Sequence, residues 1–217
     1  MRIQTMQAPY DYRTVLSAAS AEITEKNSRF IGDIFPVTTE AQAQARITEV
    51  QKKYHDARHH CFGYILGSDG AFQRASDNGE PQGTAGRPIL RVLTGARLTD
   101  VLIVVTRYFG GTLLGTGGLT RAYTQAAQEA CARADIVTYT MGRTISFTSD
   151  YAHVATVLHY FREKQIDPGA PVYEENVRFE VFVPEAHVAL YVNDLTNIFN
   201  GNIDISESDP LYLPIPS

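Results

Sequence analysis

Val101-Leu102-Ile103-Val104-Val105-Thr106-Arg107-Tyr108-Phe109-Gly110-Gly111 is the stretch on which the fold turns. Its unbroken aliphatic start predicts a β-strand buried on both faces. Downstream, Leu119, Tyr123, Ala126, Ala127, Ala130 and Ala134 recur at helical spacing and predict a helix over about 118–134. Its small residues allow close packing on a sheet. Between strand and helix, Gly110, Gly111, Gly115, Gly117 and Gly118 place five of the chain's 16 glycines within nine residues. Upstream, Glu22-Ile23-Thr24 and Ser28 to Val37 predict two extended strands. Thr39 with Gln42 matches a capping box, and Ile47, Val50 and Tyr54 continue a helix over about 39–54. Cys61 to Leu66 predicts a strand, stopped by Gly67-Ser68-Asp69-Gly70, and a long polar loop is expected from Arg74 to Pro88.

Beyond a boundary near Thr138–Gly142 the texture changes. A strand at 143–148 precedes a helix with Val154, Val157, Leu158 and Phe161 on one face. Two strands follow near 170–175 and 177–183. A helix starts at Pro184 with Val188, Tyr191, Leu195 and Ile198 as its apolar face, and Asn200-Gly201 closes it. A last strand lies near 203–207. The order β-α-β-β-α-β is the split βαβ, ferredoxin-like arrangement. The fold class is therefore α+β, with two domains expected.

Composition is that of an ordinary globular protein: 217 residues, 44% hydrophobic and 20% charged. It excludes a disulfide scaffold, and no apolar run approaches the ~20 residues that cross a bilayer. Met1 to Arg13 carries no secretory leader pattern. Two cysteines 70 positions apart, Cys61 and Cys131, predict reduced thiols in a cytoplasmic protein. Charge is unevenly shared. Residues 1–140 hold 15 Lys+Arg against 13 Asp+Glu, whereas residues 141–217 hold 4 against 11. Nucleic-acid contact, which depends on neutralising phosphates, must then use a local basic patch of the first part.

Four stretches carry candidate chemistry. In Asp56-Ala57-Arg58-His59-His60-Cys61, strand alternation puts His59 and Cys61 on one face and turns His60 to the other. Two ligands do not make a zinc site, so no metal is expected, and a hydrogen-bonded core histidine competes with a ligand role. Ser76-Asp77-Asn78-Gly79-Glu80-Pro81 continues to Gly83-Thr84-Ala85-Gly86-Arg87-Pro88. Asp77 and Glu80 suit general acid–base work, but the same residues form ordinary turns. Arg107 beside two aromatics suits a stacked base, a carboxylate or a phosphate. Alternatively Tyr108 and Phe109 complete the core and Arg107 pairs with Asp77 or Glu80. Finally, Gly115-Thr116-Gly117-Gly118, feeding a helix start with Arg121 one turn on, offers backbone amides to a small anion. Its spacing matches no nucleotide-binding fingerprint, so no cofactor is expected.

Taken together, Lys26-Asn27-Ser28-Arg29-Phe30-Ile31, Asp56 to Cys61, Ser76 to Gly86, and Val104-Val105-Thr106-Arg107-Tyr108-Phe109-Gly110-Gly111-Thr112-Leu113-Leu114-Gly115 closely resemble the IMPACT family, in its bacterial YigZ branch. The resemblance covers nearly the whole chain. It implies an N-terminal domain at 18–138 similar to the second domain of ribosomal protein S5. It also implies a C-terminal domain at 142–209 similar to a ferredoxin-like domain of elongation factor G. Eukaryotic relatives regulate translation initiation and carry a further N-terminal partner-binding domain, for which the 15–20 residues preceding the family domain are too few. The resemblance implies translation regulation, with RNA, ribosome or a translation-related protein as partner; the cluster of Arg58, Arg87, Arg107, Arg121 and the glycines in the less acidic half supplies the candidate contacts. An alternative is a hydrolase or phosphate-ester enzyme using His59, His60, Asp77, Glu80 and Arg107. Both readings expect these segments to share one cleft.

Overall fold

The computed structural model describes residues 11–215. Most of the segment read for a leader lies outside them. The chain divides into two compact units, one ending at Tyr139 and a second spanning Thr140–Pro214.

The first unit is built on the strand β6 (Val101–Tyr108), whose residues are buried from Val101 through Arg107. It sits centrally in a five-stranded antiparallel sheet of order β2-β3-β6-β4-β5, with β2 (Ala19–Glu25), β3 (Ser28–Pro36), β4 (His59–Leu66) and β5 (Phe72–Ser76). Alternation sends Val101, Ile103 and Val105 to one face with Phe30, Ile34, Cys61 and Ile65. That face is covered by α2 (Gly86–Gly95) and α3 (Gly115–Arg133). Leu102 and Val104 go to the other face with Tyr64 and Leu66, under α1 (Glu40–Lys53). Burial on both faces is what the aliphatic run requires, and the Ala-rich side of α3 lets its axis approach the sheet. Thr39 caps α1, its hydroxyl accepting from the Gln42 amide at 3.2 Å. The Gln42 amide oxygen accepts instead from the Thr38 N–H at 2.7 Å, a one-residue variant of the expected capping box. β1 (Tyr12–Val15) pairs with residues 136–139 of β7 (Ile136–Ser149).

In the second unit β7 pairs with β9 (Val177–Pro184), β9 with β8 (Val172–Tyr173), and β7 with β10 (Ile205–Glu207), all antiparallel. Helices α4 (Val154–Glu163) and α5 (Val188–Ile198) complete the β-α-β-β-α-β order. Ile145, Phe147, Phe179, Val181, Phe161 and Leu195 form its core. A further strand, β11 (Leu211–Ile215), also pairs with β7.

The structure departs from the sequence reading at several places, among them the unexpected strands β1 and β11 and a β7 that starts at Ile136. The loop expected over Arg74–Pro88 is flanked by β5 and by α2, which already starts at Gly86. Helix α3 begins at Gly115, not 118, so Gly115 to Gly118 form its first turn. The strand expected over 170–175 shrinks to Val172–Tyr173. Pro184 ends β9, and a single 3₁₀ turn, Glu185–His187, intervenes before α5. Among the described residues no helix is long and apolar enough to cross a membrane.

Candidate functional site

The carboxyl end of β6 and the start of β4 lie side by side, with His59 directly opposite Arg107. Both belong to the face that carries Cys61 and Val105. An open cleft of about 710 Å³ forms there, lined by Asp56, Ala57, Arg58, His59, Arg107, Tyr108, Phe109 and Leu113. Its volume falls in the range of small-molecule sites, roughly 300–1,000 Å³.

Arg107 is the buried hub. Its side chain is 7% exposed, and Nη1 donates to Glu80 Oε1 at 2.7 Å, with Glu80 4% exposed. The same oxygen accepts the Tyr123 hydroxyl at 2.8 Å. The Cys61 thiol lies 3.4 Å from that hydroxyl and donates to the Asp77 carbonyl at 2.9 Å. Burial drives the Tyr123 phenol well above its usual range and the Cys61 thiol up to about 12, so both stay protonated. The guanidinium is flanked by aromatic rings, 5.5 Å from the Phe30 centroid and 5.6 Å from that of Phe109. Its Nε is buried without a hydrogen-bond partner.

Asp77 has a different task. One carboxylate oxygen accepts the Ala85 and Gly86 amides at 3.0 and 2.8 Å, and the other accepts Gly83 N–H at 2.7 Å. These are orphan amides at and before the first turn of α2, whose N-cap residue Ala85 has no side chain to offer. Burial alone raises the Asp77 pKa, but the three amides and Arg87 outweigh it and the net shift is downward. Asn78, in the left-handed region at φ 42, places its carbonyl 3.0 Å from His59 Nδ1, and its side-chain oxygen accepts the His60 amide at 2.7 Å. A carbonyl can only accept, so His59 Nδ1 is the donor in this contact.

His60 faces the α1 side, its Nε2 3.1 Å from the Tyr54 carbonyl. Burial, with the neighbouring His59, holds its pKa below the usual value against the pull of that carbonyl. Asp56, exposed at the cleft wall, accepts the Tyr108 hydroxyl at 2.7 Å, which lowers its own pKa and raises the phenol's.

The expected residues are therefore only partly gathered. Arg58, His59 and Arg107 line one cleft with Tyr108 and Phe109. Arg87 is exposed in the first turn of α2. Thr116 and Gly117 are exposed at the start of α3, with the Arg121 guanidinium over Gly117, and Gly118 is packed against Leu114. None of these lines the cleft, nor do Gly110 and Gly111. The five residues considered for hydrolysis do not converge: His60 points to the opposite face, Asp77 is saturated by amides, and Glu80 is held under Arg107. Among the described residues no group of three or more His, Cys, Asp or Glu is placed to hold a metal ion. Phe109 does not finish the core, being 56% exposed, and Leu113 is 84% exposed. Sequence reading missed Leu113 and Tyr123 as site residues. A tyrosine on a buried helix face is the available signal for the latter, because its hydroxyl needs a partner.

Gly110 explains how this end of β6 is held. A side chain there would overlap the Asn27 carbonyl and the Ser28 amide, and the Gly110 N–H donates to Ser28 Oγ at 3.1 Å. Only glycine allows the loop to lie on the β2–β3 hairpin.

The model of the Impact N-terminal domain matches residues 26–131, and that of a domain of unknown function (DUF1949) matches residues 147–202. Over 204 residues, 94% of each chain, the sequence is 39% identical to the IMPACT family member YvyE of Bacillus subtilis. The chain belongs to the IMPACT family. It is also 31% identical to the IMPACT family member YigZ of Escherichia coli, covering 88% of this chain and 96% of that protein. Similarity to the bovine protein IMPACT is confined to 43% of this chain and 30% of that one, at 30% identity. A crystal structure described only as that of a hypothetical protein shares the family member's fold with TM-score 0.60 and 28% identity, covering 90% of this chain and 96% of the other.

Proposed function

We propose that this YigZ/IMPACT-like protein is a cytoplasmic regulator of translation that binds RNA through its first unit. One observation carries the reading: an exposed phenylalanine, Phe109, stands in an open cleft beside Arg58, His59 and Arg107. Base-stacking aromatics flanked by arginines are the chemistry with which proteins hold single-stranded nucleic acid. The charge balance supports the same half, since residues 1–140 alone carry a positive excess. We assign the first unit to the ribosomal protein S5 domain 2-like class, over 18–138. The second, over 142–209, we assign to the ferredoxin-like class, similar to a domain of elongation factor G. Its β10-β7-β9-β8 order with every neighbour antiparallel favours that second assignment.

The test is binding of the full chain to fluorescein-labelled RNA, followed by anisotropy across a salt series. Affinity falls with a log–log slope of about 0.7 for each single-strand phosphate neutralised. Arg58→Gln lowers both the affinity and the slope by about one phosphate's worth. Absence of any association with RNA or ribosomes at low salt sinks the proposal.

A further inference from the structure

Resting on the RNA-binding reading of the same cleft, we infer that it takes a single unpaired nucleotide, its base lodged between Phe109 and Leu113 and its phosphate beside Arg58. The protein therefore selects single strands over duplex.

The geometry supplies one free face of an aromatic ring. Phe109 is more than half exposed, and the Arg107 guanidinium stands 5.6 Å from its centroid. Arg107 is itself held by Glu80, so its charge is largely spent and its plane serves as a backing for the ring. Arg58 is exposed at the cleft and pairs with no carboxylate among the described residues, which leaves its charge for a phosphate. The aliphatic wall comes from Leu113, 84% exposed and lining the same cleft as Phe109, so the two form one exposed apolar patch. Leu113 sits between Gly111 and Gly115, both left-handed at φ 85 and 68, with nothing within 4 Å of the space beside either α-carbon. Glycine reaches these angles without strain and so fixes the turn that presents Leu113 at the cleft. A cleft of about 710 Å³ has room for a nucleotide and none for a double helix. A duplex presents no base face to a ring at its surface, because every face is already stacked on a neighbour. An unpaired base, with a free face, can contact Phe109 and Leu113 together, whereas a paired and stacked one cannot.

The test compares a 12-nucleotide unstructured RNA with the same strand annealed to its complement, by competition anisotropy on the full chain. The single strand is expected to bind at least tenfold more tightly. Phe109→Ala is expected to weaken the single strand by about tenfold or more, as loss of one stacked base does, and to leave the duplex affinity unchanged. Phe109→Tyr retains the preference, and Leu113→Ser reduces it. Both side chains are exposed, so circular dichroism melts of these variants should match the parent. Equal affinity for the two RNAs, or equal weakening of both by Phe109→Ala, overturns the inference and leaves RNA binding standing. No binding to either overturns both.

Discussion

Removing Glu80 strands a buried cation, and the cost can be worked from the geometry. Arg107 and Glu80 expose only 7% and 4% of their side chains, and the carboxylate is bonded to Arg107 and to the Tyr123 hydroxyl through a single oxygen. Breaking one partner from such a pair costs about 3–5 kcal/mol, because the survivor keeps its charge without compensation. At about 2–4 °C per kcal/mol for a chain of this size, Glu80→Ala should lower the melting temperature of the first unit by roughly 10 °C. Glu80→Gln keeps an acceptor for Tyr123 but not the charge, and falls between. Glu80→Leu with Arg107→Met removes both charges at once. Methionine suits the space between the Phe30 and Phe109 rings, so most of the loss returns. A deficit of about 1 kcal/mol remains, because Tyr123 has lost its acceptor. Differential scanning calorimetry of the four proteins decides the matter. If the double variant melts no higher than Glu80→Ala, or if Glu80→Ala melts within a degree or two of the parent, the pair is not coupled as described and the reasoning fails.

Gly110→Ala forces the β6 end off the Asn27–Ser28 backbone and should cost at least about 2 kcal/mol, read as a lower urea midpoint at unchanged slope. Asp77 titrates below its unfolded value, so its contribution is complete above about pH 4 and disappears as pH falls through the folded value. Asp77→Asn, which replaces one accepting oxygen by an NH2 and removes the charge, should cost about 1–2 kcal/mol at pH 7 and flatten the acid limb of a stability–pH curve; a variant as acid-sensitive as the parent would contradict this. Burial raises the Cys61 thiol to about 12 and that of Cys131 to about 11, so neither should react with a thiol reagent at pH 8 until the protein is unfolded.

Where structure follows local periodicity, the sequence is readable. The run Val101 to Val105 announces the central strand, Thr39 announces the start of α1, and the alternation Val177, Phe179, Val181, Val183 announces β9. Helix α2 escapes such reading because its start is capped by Asp77, eight and nine positions earlier, while Gly86-Arg87-Pro88 continues a turn-rich segment. Strand β5 escapes because it is an edge strand whose residues Phe72 to Arg74 are exposed and show no alternation. At the site, strand parity separates His59 from His60 correctly, and the suggested pairing of Arg107 with Glu80 is the one formed. The glycines mislead, because a helix whose first turn is Gly115 to Gly118 has the same composition as a loop. That Phe109 remains outside the core depends on how the hairpin at Asn27 fits beneath Gly110, which no local window contains.

Gly110 meets Ser28 across 82 positions of chain. The ring that stands open to solvent thus takes its address from the tip of a hairpin that contributes nothing to the cleft itself. A change in that tip would shift the seat of Gly110 and, with it, Phe109. Drift in an inconspicuous bend is therefore a route by which descendants of this chain alter their choice of guest without altering the side chains that greet it.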